Sequence, residues 1–243
     1  MSAFLQAANA DSGKLRVLAW RYPEWWAIAL SAAAWLLMLV PFASLHHHQT
    51  RGGFWEATRT ETFRWMLMVI AMMLPLVIDA IRIAAARSLW PRRHRSVAGF
   101  VLGYLAVWLI AGALTSMAVT SLRTQLALDG ILAAAVFVLA AGWQLTAAKQ
   151  RALRSCHFTM PLAPEGWSAD RDCIRYGWAI GSRCLVTCWA LMIGCAVSGH
   201  GMLPMVCATC VGMAERYSMK PDHRVLAGVL AAFAAVHGGA ALF

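Results

Sequence analysis

The sequence predicts an all-α fold: a polytopic transmembrane helical bundle of about seven helices, one domain over 1–243, with its N-terminus in the cytoplasm. Three observations predict it. Of 243 residues, 60% are hydrophobic and 13% charged, and the mean hydropathy of +0.60 lies above that of ordinary soluble domains. Apolar runs long enough to cross a hydrocarbon layer of ~30 Å recur along the chain, at 25–45, 63–83, 97–121, 130–148, 178–198, 201–217 and 225–243. All but four of the 21 lysines and arginines then fall in segments sharing one face of the membrane, which orients the chain by the positive-inside rule. The net charge of +10 is thereby assigned to topology, and no nucleic-acid partner is expected.

The first run opens among Trp20, Trp25 and Trp26, amphipathic rings suited to a headgroup layer. The residues ahead of it lack the short apolar core of a cleavable signal, so this helix is expected to serve as its own insertion signal. After it comes "LHHHQTRGG". Neighbouring side chains point in different directions, so a polar helix cap explains these histidines more simply than one ion does.

The second run reads "RWMLMVIAMMLPLVIDAIR", with Met68, Met72 and Asp79 on one face. Pro75 removes a backbone hydrogen bond and is expected to kink the helix. Asp79 is costly in lipid unless paired, and Arg82, one turn on, is its expected partner. Runs three and four lead into a sizeable loop, 149–177, whose "LAPEGWSADRDCIRYG" mixes apolar and charged residues. That loop is either solvated or contains a short amphipathic segment at the interface.

The fifth run carries "SRCLVTCWALMIGC". Cys184, Cys188 and Met192 follow at four-residue steps and Cys195 comes seven after Cys188, so all lie within a sector of about 80° on one helix face. Gly177, Gly181 and Ser198 share that face, and small residues let membrane helices approach closely. The stripe therefore faces protein. The sixth run contains Pro204 and sets Cys207 and Cys210 on one surface, while His200, Met202 and Met205 gather near its start as a second soft-donor group. The number of cysteines is odd and most face membrane or cytoplasm, so no disulfides are expected.

Two readings of the sulfur remain open from these residues. Cysteine and methionine can be compact apolar filler. Alternatively, thiolate and thioether ligands select Cu(I), with zinc the second choice where Cys meets His. The fitting donors are Cys184 and Cys188, joined by Cys156 and His157 from the loop.

The segments "RWMLMVIAMMLPLV", "FVLGYLAVWLIAG", "GWQLTAAKQRALRSCHF" and "GSRCLVTCWALM", followed by "MAERY", resemble in order and spacing a family of bacterial integral membrane proteins predicted to bind metal. The resemblance covers roughly 63–217 and implies roles for Met72, Met73, Cys156, Cys184, Cys188, Trp189 and Met192. Thr187 stands where the family carries a cysteine, Ala152 lies near another missing one, His157 replaces an arginine, and Asp79 replaces a proline. Either His157 and Cys195 substitute for lost ligands, or the scaffold persists without the site.

The resulting expectation is a multi-pass protein of the bacterial cytoplasmic membrane, in contact with the lipid bilayer, that binds copper for handling or delivery. Zinc is the second candidate cofactor. The alternative is an accessory subunit of a larger membrane complex, its sulfurs serving as packing against other membrane subunits. No paired carboxylates, activated nucleophile or phosphate loop is evident, so no enzyme is expected.

Overall fold

The computed structural model describes residues 21–39, 53–125, 129–156, 158–218 and 222–240. The histidine triplet after the first helix, and His157, lie outside the described residues. Among the described residues all regular structure is helical. The helices are α1 (Trp25–Leu39), α2 (Phe54–Met73), α3 (Ile78–Ala86), α4 (Arg93–Gln125), α5 (Asp129–Gln144), α6 (Ala147–Ser155), α7 (Gly166–Val197), α8 (Met202–Tyr217) and α9 (His223–Ala240). Short 3-10 turns at Pro75–Val77 and Trp90–Arg92 precede α3 and α4.

Among the described residues nine helices stand where seven runs were expected, because the second run is broken and the fourth gives way at its end to a further helix, α6, in the expected loop. The second bends by 45° between α2 and α3, at the proline the sequence singled out. Pro75 has no N–H to offer the carbonyl four residues back, and that carbonyl, Ala71 O, instead accepts from Ser31 Oγ at 2.7 Å and Trp35 Nε1 at 3.0 Å. A helix break thus becomes the anchor for α1. The fourth run turns by 73° between α5 and α6, where Thr146 caps α6 by accepting from the Lys149 backbone N–H at 3.2 Å.

The expected loop 149–177 is corrected to 156–165, because α6 occupies its start and α7 begins at Gly166. The first turns of α7 bury Ala169, Cys173, Tyr176 and Gly177, spaced as one face of an amphipathic helix. Asp170 on that segment accepts from Arg92 Nη2 and Arg95 Nη2, each at 2.6 Å. Arg82 does reach Asp79, at 3.5 Å, but its shorter contact is Glu24 Oε1 at 2.9 Å.

The most extensive packing joins α4 to α7, followed by α5 to α9. Gly99 and Gly103 on α4 face the 170–178 stretch of α7, and Gly177 and Gly181 on α7 face the 100–107 stretch of α4, four-residue steps on both sides. A methyl group at Gly103 would run into the Ile174 carbonyl, and one at Gly177 into that of Phe100. The two backbones touch directly, as small-residue pairs allow. By length and composition, Trp90–Arg123 and Gly166–Val197 could each cross a membrane, and the bent pairs α2–α3 and α5–α6 pass the same test.

Gly103→Ala and Gly177→Ala are expected to lower thermal stability by at least the ~1–3 kcal/mol of ordinary overpacking, because backbone rather than a movable side chain must yield. Gly142→Ala, with open space around its Cβ position, is the control. Thermal unfolding of the purified variants checks the contrast.

Candidate metal centre

The glycine contact sets the register of everything on the next turns of α7. With α4 pressed against Gly181, the Tyr104 hydroxyl reaches Cys184 and donates to its Sγ at 3.2 Å. From the other side Cys184 Sγ lies 4.0 Å from Met73 Sδ on α2. One turn on, Cys188 Sγ is 3.5 Å from Thr187 Oγ1, whose hydroxyl also donates to the Cys184 carbonyl at 2.9 Å. Cys184 and Cys188 lie within interaction range of one another.

Cys156, at the end of α6, completes the group from the opposite wall. Its Sγ lies 4.0 Å from Thr187 Oγ1. Cys156, Cys184 and Cys188, all buried, line one cavity of about 30 Å³ together with Thr187, Glu215 and Arg216. Apolar walls come from Leu76 and Val77 in the turn after Pro75, from Leu153 and from Ile180. The chamber is therefore assembled where the kink of α2–α3, the end of α6, α7 and α8 converge.

Of the expected donors, the structure brings Cys156, Cys184 and Cys188 to this cavity. Met72 and Met192 are fully enclosed in the core, and the thioether beside Cys184 is that of Met73, one residue from Met72. All seven cysteines are free thiols. Among the described residues no group of three or more His, Cys, Asp or Glu side chains is arranged to hold a metal ion. What the cavity offers is soft sulfur: two thiols on one helix and a third thiol opposite, with the Met73 thioether beside Cys184 but outside the lining. Such a donor set suits Cu(I) above harder ions.

Three residues escaped the sequence reading. Tyr104 lies on another helix 80 residues from Cys184, and only its place in the GY segment hinted at it. Lys149 Nζ and Glu215 Oε1 form an ion pair at 2.7 Å, each side chain 1% exposed. Both residues belonged to motif segments, "QLTAAK" and "MAERY", but nothing in either announced that they meet.

With this geometry in view, residues 62–241 match the family described as PpoB2, copper chaperone. The chain belongs to that family. No curated protein and no solved structure matches it. Membership in the PpoB2 family supports copper handling in general, in keeping with the soft donors of the cavity.

The other end of the bundle has a different character. His200, in the left-handed region at φ 59°, turns inward rather than toward an external soft-donor group. Its Nδ1 lies 3.7 Å from Glu61 Oε2, and Glu61 Oε1 lies 3.2 Å from Arg123 Nη1 and 3.8 Å from Arg64 Nη1. Burial, then the charges of Arg64 and Arg123, push the imidazole down to about 3. It is neutral in the fold at any pH near 7.

Two outcomes are expected. Glu215→Gln leaves Lys149 buried without its counter-charge and should cost about 3–5 kcal/mol, whereas Lys149→Met with Glu215→Leu should recover most of that; thermal unfolding of the two variants beside wild type checks it. The unfolded chain binds a proton at His200 near pH 6.5 and the folded one only near 3. Stability from this group is thus complete above 6.5 and is lost as pH falls from 6.5 toward 3, by up to about 1.4 kcal/mol per pH unit. His200→Asn, which tolerates the backbone angle, should flatten that slope in unfolding measured across this range.

Proposed function

We propose that this PpoB2 family member is a membrane-embedded copper-binding protein that takes Cu(I) as cargo between the thiols of Cys184 and Cys188, with Cys156 and Met73 as the neighbouring sulfur donors. The observation that carries the reading is the convergence of α7's two thiols with the thiol from α6 on one enclosed cavity. A chaperone must bind and release. Soft donors give selectivity, and a small number of them permits transfer to a competing sulfur site. Thiols give up their protons when they take a metal, so loading is expected to weaken as the medium becomes acidic.

The membrane part of the proposal rests on the outward faces of the helices. Leu36 on α1, Leu102 and Leu114 on α4, and Val138 on α5 are each more than 60% exposed. Apolar residues turned outward over several long helices suit lipid rather than water. The sequence charge bias favours a bacterial cytoplasmic membrane with Cys156 and the cavity toward the cytoplasmic face, where thiols stay reduced.

Thr187 refines the proposal. It stands where the resembled family pattern has cysteine, and its Oγ1 lies 3.5 Å from Cys188 Sγ and 4.0 Å from Cys156 Sγ. A sulfur there would enter the same chamber. This member therefore uses one thiol fewer and is expected to hold copper more loosely than a Thr187→Cys variant.

Elemental analysis of the purified full chain, loaded with Cu(I) under reducing conditions and desalted, tests the function. Wild type is expected to retain copper stoichiometrically, and Cys184→Ser or Cys188→Ser to lose it. Tyr104→Phe, which removes the hydroxyl that orients Cys184, should weaken affinity by about 10-fold or more, in the range of lost outer hydrogen bonds. Wild type retaining only background copper would end the proposal.

A further inference from the structure

A second concavity lies away from the sulfur cavity, where the segment before α1, the end of α3 and the start of α4 meet. It has a volume of about 290 Å³ and is lined by Arg21, Tyr22, Glu24, Arg82 and Arg93. Its charges do not cancel. Glu24 Oε1 is committed to Arg82 Nε at 2.9 Å, and Arg82 also contacts Asp79 at 3.5 Å. Among the described residues Arg21 and Arg93 have no carboxylate partner. Arg93 Nε is enclosed and has no hydrogen-bond partner, although an arginine donor removed from water normally finds an acceptor.

The two uncommitted arginines are held by rings. The Arg93 guanidinium sits over Trp90 at 4.1 Å, and that of Arg21 is 6.0 Å from the Tyr22 ring centre. Stacking fixes the plane of a guanidinium while leaving its N–H edge free, the geometry that suits an oxyanion. Tyr22, Trp25 and Trp90 are each about half exposed around the concavity. Exposed aromatic rings alternating with arginines characterise the headgroup level of a bilayer.

We propose that this concavity is a binding site for a phosphate-bearing anion, the headgroup of an acidic phospholipid or a free phosphate, gripped by Arg21 and Arg93 while the Arg82–Glu24 pair forms its wall. Basic pockets between helices on the cytoplasmic side recognise acidic headgroups by this chemistry. The lipid source rests on the membrane reading, whereas the anion chemistry does not. Because the site ties α1 to the α3–α4 corner, its occupant also braces the helix whose Ser31 and Trp35 support the kink beside the copper cavity.

The test uses delipidated full-length protein in mild detergent, offered equal amounts of phosphatidylglycerol and phosphatidylcholine and read by native mass spectrometry. Inorganic phosphate is added in a parallel thermal-shift series. Wild type is expected to retain phosphatidylglycerol preferentially, and Arg21→Gln and Arg93→Gln each to reduce the preference about fivefold, with copper retention unchanged. Stabilisation by inorganic phosphate that the double variant loses, without lipid preference, identifies the free anion. Equal retention of both lipids with no response to phosphate overturns the proposal, and so does a preference unaltered in the double variant. Should that variant fail to fold, the salt dependence of the wild-type preference decides: a preference indifferent to high salt is not a charge site. Extraction of the chain from membranes by alkaline carbonate would refute the membrane reading separately, leaving the phosphate arm to judge the anion site.

Discussion

The contact on which the rest depends is the backbone-to-backbone meeting of α4 and α7. At Gly103 and Gly177 only main-chain atoms of the facing helix occupy the space a Cβ would take, while Gly99 and Gly181 border side chains of the facing helix, Cys173 and Val107 among them. In the membrane setting proposed above, helices gain little from the hydrophobic effect on association, so close packing supplies the attraction. It also supplies precision. A helix seated on glycine cannot slide by a residue without driving a side chain into a carbonyl, and Tyr104 therefore meets Cys184 rather than its neighbours. The hydrogen bond from Tyr104 Oη at 3.2 Å is a consequence of that register.

The same logic explains why the sulfur cavity lies where helices are interrupted. Regular helices present side chains outward but rarely enclose a void. Here the bend at Pro75 swings Leu76 and Val77 over the cavity, and the turn at Thr146 brings α6 across so that Cys156 faces α7. Each interruption exposes backbone groups, and each is satisfied locally: Ala71 O by Ser31 and Trp35, Pro75 O by the Tyr217 hydroxyl at 2.9 Å. Breaking a helix is expensive where water is absent. Satisfied breaks at two walls of one chamber indicate that the chamber itself is what the irregularity serves.

How much of this was readable in the residues follows from range. The sulfur stripe at Cys184, Cys188 and Met192 is a property of one helix and emerges from four-residue spacing alone, as does the kink at Pro75. The choice of Met73 over Met72 at the cavity was not accessible, since adjacent residues differ by 100° and the facing direction is set by packing on α4 and α7. The start of α7 was hidden for another reason. Asp170, Arg171 and Asp172 interrupt any search for long apolar runs, while the alignment of Ala169, Cys173 and Tyr176 that makes the segment a helix is a 3.6-residue pattern. The meeting of Lys149 with Glu215, 66 residues away, needed the fold.

That ion pair bears on what the cavity can hold. Two thiolates around Cu(I) carry one net negative charge, and an unbalanced charge in an enclosed apolar space is costly. Lys149 and Glu215 are neutral as a pair, and of the two only Glu215 lines the cavity. Arg216, lining the same cavity, adds a further positive charge. A purely apolar chamber would keep its thiols protonated and reject the ion. Excess fixed positive charge would instead hold the thiolates without a metal. A buried pair with an arginine beside it lies between these limits, which is the electrostatic condition that the proposed uptake and release of copper requires.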